Sequence, residues 1–411
     1  MISASARPYI DASVPVLREH GVAISTRFYV RLFVAHPELK NIFNMGNQEN
    51  GSQQQALAGA LFAYAANIGN ADALTPVISR IVQKHISLGI RAEHYPIVGH
   101  NLLAAISDVM GDAATPELIA AWAEAYGLLA DALIGEEKKQ YAAHRIEPGQ
   151  QREMIVIRKQ KESETVTSFY LEAADGLPLP PFQPGQYISV ATDVAALNLK
   201  QLRQYSLSDG PDQTYWRISI KREDKGGQGH PAGLVSNQLH ANLLVGDKLW
   251  VSPPCGDFVM AKNVSAPLVL ISAGVGVTPM MSMLHGSLRQ APARPVNFLY
   301  ATLNGDHHPL KAELLALQAS QESPDKKNVL STHFAYAVPS AEDHAINDFD
   351  QTGYLQLDQL DPALLPKNGD YYLCGPNPFM QAQRQALLAR GIAPHQIRQE
   401  VFGPALLENL Q

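Results

Sequence analysis

Three groups of residues in this chain have the types and spacing to do chemistry. The first centres on His85 in the run IVQKHISLG. Imidazole is the commonest metal ligand among side chains, yet any one of fourteen histidines is more often a surface or core residue. The company of His85 raises its standing: Gln53 and Leu57, four apart and so on one helix face, lie upstream, with Tyr29 and Phe43 before them. The second group is Arg203, Gln204, Tyr205 and Ser206 in LRQYSLSD, where strand alternation sets a cation and an aromatic plane on one side. Gly233, Leu234, Val235 and Ser236 follow, at a place where a helix start would offer free N–H groups to a phosphate. Read alone, Gly233 is a turn residue, Ser236 an N-cap and Tyr187 of PGQYISV a strand aromatic. The third group is the strand PLVLIS leading into Ala273–Pro279 (AGVGVTP), whose glycines let a pyrophosphate approach the backbone at a helix start. Pro279 stands where a full dinucleotide fingerprint has its third glycine, which argues against a Rossmann dehydrogenase.

The elements that must position these groups fall into three grammars. Residues 1–146 read as helices: Ile24, Phe28 and Leu32 recur every fourth position. A long helix is predicted from Pro116, with Thr115 as its N-cap and Glu117 near its positive end. A polar linker, 147–152, contains Pro148 and Gly149. From 153 to 263 short alternating runs predict an antiparallel β-barrel. In YWRISIKRED, Trp216, Ile218 and Ile220 face one way and Arg217, Ser219 and Lys221 the other. From 264 to 411 the strands PLVLIS, PVNFLYA and DYYLC alternate with helical sequence, which predicts a doubly wound parallel α/β sheet.

Composition limits the function classes. A chain of 411 residues needs more than one core. Its 46% apolar and 17% charged residues are ordinary for globular domains. A net charge of −7 disfavours nucleic acid as a partner. The two cysteines, Cys255 and Cys374, form no CxxC, which excludes a disulfide framework and suits a reducing cytoplasm. The N-terminus has no continuous apolar stretch, and no run of about 18 apolar residues is seen, so neither a signal peptide nor a membrane association is expected.

The order Tyr29, Phe43, Gln53, Leu57, His85, Tyr95, Glu137, with the strings AHPELKNIFNM, KHISLG, HYPIVG and AWAEAYGLLADALI, resembles the globin domain of bacterial and yeast flavohaemoglobins. RxYS, GxxS and GxGxTP resemble the ferredoxin–NADP reductase superfamily, the reductase half of that family. The resemblance implies haem b, FAD and NADH or NADPH as cofactors, and O2 and NO as small-molecule partners. The implied activity is a nitric oxide dioxygenase, in which NAD(P)H reduces FAD, FAD reduces haem one electron at a time, and NO is oxidised to nitrate.

It also implies roles for the matching positions. His85 would ligate iron, Phe43 would wedge the porphyrin, and Lys84 would stand on the cofactor side of the same run. Tyr29 would hydrogen-bond bound O2, a charge-assisted contact worth roughly 1.5–3 kcal/mol, with Gln53 near it and Leu57 shaping the pocket. Tyr95 and Glu137 would stand behind His85, although Glu137 alone reads as a solvated member of GEEKKQ. Arg203, Gln204, Tyr205, Ser206 and Tyr187 would hold flavin, with Gly233, Val235 and Ser236 at its phosphates. Gly274, Gly276, Thr278 and Pro279 would hold the nicotinamide cofactor, Cys374 and Gly375 would lie by the nicotinamide, and Phe402 of EVFGP would cover the flavin. No arginine or lysine directly follows the second strand, where the run is LYATLNGDHH, which leans towards NADH. An O2 or NO sensor or carrier suits the sequence less well, since a carrier needs no built-in electron supply and a sensor needs an output domain; a general flavin or ferric reductase stays open. A monomer or weak dimer is expected.

Overall fold

The computed structural model describes residues 2–144, 146–224, 232–261, 264–321 and 329–403. Six helices come first: α1 (Arg7–Ala35), α2 (Met45–Glu49), α3 (Ser52–Ala66), α4 (Ala71–Leu88), α5 (His94–Met110) and α6 (Pro116–His144). The four-residue repeat of α1 buries Ile24, Phe28 and Leu32 in one cluster with Trp122 and Ala125 of α6. The start of α6 follows the sequence expectation: the Leu118 N–H donates to Thr115 Oγ1 at 3.3 Å, and Pro116 occupies a first-turn position whose missing N–H costs nothing. Among the described helices α6 alone is long and apolar enough, by length and composition, to cross a membrane. Here it packs on α1, α4 and α5.

The second unit is an antiparallel sheet of β1 (Arg152–Lys161), β2 (Val166–Ala173), β3 (Tyr187–Val194), β4 (Leu199–Ser206), β5 (Trp216–Lys221) and β6 (Lys248–Val251), in the order β4-β3-β6-β1-β2-β5. A bridge between Leu207 and Ile218 brings its two edges together and curls the sheet into a barrel. Helix α7 (Leu234–Asn242) covers one opening and buries Val235 and Leu239. As expected, Trp216, Ile218 and Ile220 of β5 enter the barrel core. Arg217 and Ser219, on the opposite face, are buried as well, Arg217 against Glu313 of the third unit and Ser219 between Ser168 and Ser208.

That third unit is a parallel sheet, β10-β9-β8-β7-β11-β12. Its strands are β7 (Leu268–Ala273), β8 (Val296–Thr302), β9 (Leu330–Tyr336), β10 (Gln351–Thr352), β11 (Asp370–Cys374) and β12 (Ile397–Glu400). Helices α8 (Val277–Gln290), α9 (Lys311–Gln321), α10 (Ala341–Ile346) and α11 (Asn377–Ala389) complete it. One face packs Leu268, Leu270 and Phe298 on Met280, Leu284 and Leu314; the other packs Val269, Ile271 and Leu299 on Met380 and Leu387. Burial on both faces is what near-continuous apolar strands predict for a parallel sheet.

Candidate active site

Helix α4 carries His85 in its last turn, and Gly89, at φ +74°, ends the helix in the left-handed conformation that favours glycine. His85 Nδ1 lies 2.8 Å from Glu137 Oε1 and 2.9 Å from the Tyr95 hydroxyl. The Tyr95 hydroxyl also donates to Glu137 Oε1. A carboxylate only accepts, so Nδ1 carries the proton and the lone pair sits on Nε2, for which no hydrogen-bond partner occurs among the described residues. Glu137 is 3% exposed. Burial, then the hydrogen bond and charge of Glu137, push the Tyr95 phenol far above its ordinary range and keep it a donor. Read alone Glu137 is a solvated member of GEEKKQ, but the helix phase agrees with its buried place: Leu133, Glu137 and Tyr141 recur every four residues on the buried face of α6.

A second polar point lies between α1 and α3. Gln53 Nε2 donates to the Tyr29 hydroxyl at 3.2 Å, leaving the hydroxyl hydrogen to donate in turn. Burial pushes the Tyr29 pKa up to about 12, so the group stays protonated. Its ring stacks on Phe33 at 5.8 Å and meets Phe43 edge-on at 5.6 Å. Phe33, Phe43 and Leu57 are only partly buried against the helical core, so apolar surface is left incompletely covered beside that hydroxyl. This suits a flat apolar group such as a porphyrin, with Nε2 of His85 as the donor of the right chemistry for iron.

The flavin motif lies on β4, paired with β3 so that Tyr187 is opposite Ser206 and Val190 opposite Arg203. Arg203 has no carboxylate partner among the described residues. Its Nη1 reaches only the Leu202 carbonyl at 2.8 Å and Gln201 Oε1 at 3.5 Å. Burial lowers its pKa, the mark of a cation lacking a counter-charge, which fits a phosphate. Tyr205 is half-buried and its phenol is pushed up by burial. Gly233 precedes α7, whose first N–H groups have no side-chain cap; a Cβ on Gly233 would lie 2.7 Å from Ser236 Oγ. The Ser236 hydroxyl donates to the Gly233 carbonyl at 3.2 Å, and Val235 faces the core, so this segment offers backbone rather than side chains.

In the third unit β7 ends at Ala273 and Gly274 takes φ +55°. Gly276 packs so closely on β11 that an added Cβ would lie 2.3 Å from the Cys374 carbonyl oxygen. Thr278 Oγ1 donates to the Val275 carbonyl at 3.0 Å, closing the turn, and Thr278 and Pro279 are both buried in the first turn of α8. The Cys374 thiol is fully buried, and burial pushes its pKa well above the usual thiol range, so it is inert. Gly375 brings the chain against Ala273, where an added Cβ would lie a tight 3.2 Å from the Ala273 Cβ and 3.0 Å from the Phe379 ring. Phe402 lies beyond β12 and is 47% exposed.

The first two groups meet along α4. Lys84, next to His85, donates to Gln204 Oε1 of the flavin motif at 3.3 Å. Gln204 Nε2 in turn donates to Ser189 Oγ at 3.2 Å. Burial lowers the Lys84 pKa, opposed by the charge of Glu400. Glu400, at the end of β12, is the residue that sequence reading missed, although it heads the EVFGP string. Burial, with Asp257 adding to it, raises its pKa to about 7 against Arg80 and Lys84.

Comparison with known proteins agrees with this architecture. The Globin family model matches residues 26–133 and the Oxidoreductase NAD-binding domain model matches residues 270–385. The flavohaemoprotein of Chromobacterium violaceum is 50% identical over 406 residues, 98% of each chain. That of Rhizobium meliloti is 48% identical over 99% of each. A crystal structure of flavohaemoglobin from Malassezia yamatoensis with bound FAD and haem superposes with a TM-score of 0.84 at 31% identity, covering 98% of this chain and 100% of that one. The FAD/NAD-binding domain of a nitric oxide dioxygenase from Vibrio cholerae is 39% identical, with a TM-score of 0.55 over 62% of this chain and 99% of that one.

Proposed function

The chain belongs to the flavohaemoprotein family, and from that premise we propose that it is a nitric oxide dioxygenase, converting NO and O2 to nitrate and so removing NO. Its coarser class, an NAD(P)H oxidoreductase carrying haem and FAD, is established by the relatives and family models above. When bound, haem supplies the iron at which O2 and NO react, NAD(P)H supplies a hydride, and FAD divides its two electrons for a one-electron metal. The helical unit takes residues 1–146, joined by 147–152 to the flavin barrel at 153–263 and the nucleotide unit at 264–411. Two free, buried cysteines suit a reducing cytoplasm.

The observation that carries this reading is the hydrogen-bond set behind His85. With Glu137 and Tyr95 at Nδ1, the ring is fixed in one tautomer, Nε2 is turned over to iron, and the carboxylate makes the imidazole a stronger donor. Such a ligand favours oxygen chemistry over reversible carriage. Tyr29, held protonated by burial and oriented by Gln53, supplies a hydrogen-bond donor in an apolar pocket, with Phe43 and Leu57 excluding water. Arg203 takes the flavin's phosphate charge while Tyr205, Ser206 and Tyr187 shape its ring site. The Gly274–Pro279 turn receives the pyrophosphate of NAD(P)H at the start of α8. Gly375 keeps the end of β11 close to that turn.

Tyr29→Phe tests it. NO consumption is expected to fall on the order of 10²-fold, as when one preorganised donor is lost, with NADH-driven cytochrome c reduction unchanged. Undiminished NO consumption would return the chain to a general flavin reductase.

A further inference from the structure

We propose that Arg217, Glu313, His285 and Asp209 form a clamp that holds the nucleotide-binding helix in register with the flavin strand and so sets the rate of hydride transfer. The idea rests on reading β4 as the flavin strand and Gly274–Pro279 as the nucleotide turn, and is independent of what happens at iron.

The four residues come from two units. Asp209 lies three positions beyond Ser206 on the chain leaving β4, and Arg217 is the second residue of β5. His285 lies on α8, the helix that begins at the glycine turn, and Glu313 on α9. The clamp therefore joins the continuation of the strand carrying Arg203 and Tyr205 to the helix that starts after Gly276.

Its geometry is directional. Arg217 is 3% exposed; its Nη1 donates to Glu313 Oε2 at 2.5 Å and its Nη2 to Oε1 at 3.1 Å. The fork is itself fixed, since Nε donates to Ser208 Oγ at 3.1 Å and Nη2 also to the Ser208 carbonyl. His285 Nε2 lies 2.5 Å from Glu313 Oε1 and 3.7 Å from Asp209 Oδ1. The Tyr215 hydroxyl donates to Asp209 Oδ2 at 3.1 Å, and Ser282 Oγ of α8 donates to the Asp209 carbonyl at 2.9 Å. Burial alone would raise the Glu313 pKa, but the hydrogen bonds of His285 and Arg217 outweigh it and bring the pKa to about 2.

The apolar contacts of α8 with the barrel, at Met283 and Gly286, leave one side of the cluster uncovered. A cavity of about 270 Å³, lined in part by Gly210, His285 and Leu288, opens beside the cluster. A buried ion pair is weak evidence for stability, whereas a bidentate guanidinium–carboxylate fork fixes distance and angle. Hydride transfer needs reacting atoms about 3–3.5 Å apart, and a misplacement of about 1 Å costs up to roughly 10²-fold. The fixed guanidinium also supplies the positive charge that a metal ion would otherwise bring to Asp209, His285 and Glu313, so the cluster reads as a clamp rather than a metal site.

The test compares Glu313→Ala, Glu313→Asp and His285→Ala with the parent, each as purified full chain with haem and FAD content measured. Anaerobic stopped-flow gives the limiting rate of flavin reduction by NADH and its isotope effect with NADH deuterated at the transferred position. Amide hydrogen exchange reads the clamp itself. For Glu313→Ala the limiting rate should fall about 10- to 100-fold with a larger isotope effect. Half-saturating NADH should stay within about twofold. Exchange should speed up over 207–215 and α8 but not over β1 and β2, and Glu313→Asp should lie between. A limiting rate within about twofold of the parent at full FAD content, a loss that only tracks missing FAD, or unchanged exchange over 207–215 overturns the clamp. If Glu313→Ala gives no folded protein, His285→Ala is read against the same outcomes. NO consumption by protein reduced chemically instead of by NADH should match the parent in every variant, and its loss there would count against the proposed function and not the clamp.

Discussion

Where the helical unit meets the barrel, neutral groups do most of the joining; where the barrel meets the parallel sheet, charge and glycine-tight packing do. At the first seam Gln201 accepts the Met45 N–H at 3.1 Å and donates to the Lys40 carbonyl at 3.1 Å. Asn41 accepts from the Lys200 N–H at 2.8 Å and Gln83 from the Gly256 N–H at 2.9 Å. The ion pair there, Arg80 with Asp257 at 3.6 Å, sits on the partly exposed rim. The second seam has the Arg217–Glu313 fork and two glycines in α8's path. A Cβ on Gly185 would lie 2.6 Å from the Met283 methyl across the seam, besides 2.1 Å from the Phe258 carbonyl of its own unit, and one on Gly286 would lie 2.5 Å from Pro184. The difference follows what crosses each seam. In the proposed reaction an electron crosses the first, with no bond to align, and a hydride crosses the second, which demands near-contact. Charged and close-packed contacts are concentrated where, in that reaction, geometry decides the rate.

Breaking the tight seam should give the largest effect. Gly185 has φ +103°, so Gly185→Ala adds left-handed strain to the clash with Phe258 and Met283. The expected cost is about 3 kcal/mol, seen as a fall of roughly 6–12 °C in the melting of the reductase half. The same side chain at Gly246, which has positive φ but open space around it, should cost only the strain. Equal losses at both positions would remove packing from the explanation.

Glu400 sharpens the contrast, because it stands where α4 approaches the third unit and its charge is conditional. Its folded pKa, about 7, lies above the usual carboxylate value of 4.5. Between those values the folded state keeps a proton that the unfolded state has lost, so this group costs stability as pH rises from 4.5 to 7 and the cost is complete above 7. Glu400→Gln should therefore match the parent below pH 4.5 and exceed it above pH 7 by up to roughly 3 kcal/mol, at about 1.4 kcal/mol per unit. Denaturation midpoints across pH check this; a constant difference would show that Glu400 does not titrate in that window.

The sequence made the elements legible more than the seams. Helical period placed Ile24, Phe28 and Leu32 in a core, Thr115 and Pro116 marked the start of α6, and alternation put Trp216, Ile218 and Ile220 inside the barrel. Alternation also separated Arg217 from them, but a period of two says only which face a residue is on, never what covers that face. The burial of Arg217 depends on Glu313, 96 residues away. His85, Tyr29 and Gln53 could be singled out by spacing, while the place of Glu137 behind His85, 52 residues on, came only from the family resemblance, and its hydrogen bond from the fold. Glu400 failed for the same reason: its environment comes from Asp257, Arg80 and Lys84, none near it in the chain.

The smallest effect should come from the looser seam. Gln201 is fully buried, and Gln201→Ala leaves the Met45 N–H and the Lys40 carbonyl without their partner across it. Losing a neutral amide contact of this kind costs about 1–2 kcal/mol. The neighbouring Lys200–Asn41 and Gly256–Gln83 bonds remain to hold the units together. Flavin reduction by NADH should be unchanged, and subsequent haem reduction should slow by only about two- to fivefold, since a slightly displaced electron donor still donates. Anaerobic stopped-flow at flavin and Soret wavelengths separates the two steps in one experiment. A loss in haem reduction as large as that expected for hydride transfer in Glu313→Ala would mean that both seams are set with equal precision, and the distinction between them would fall.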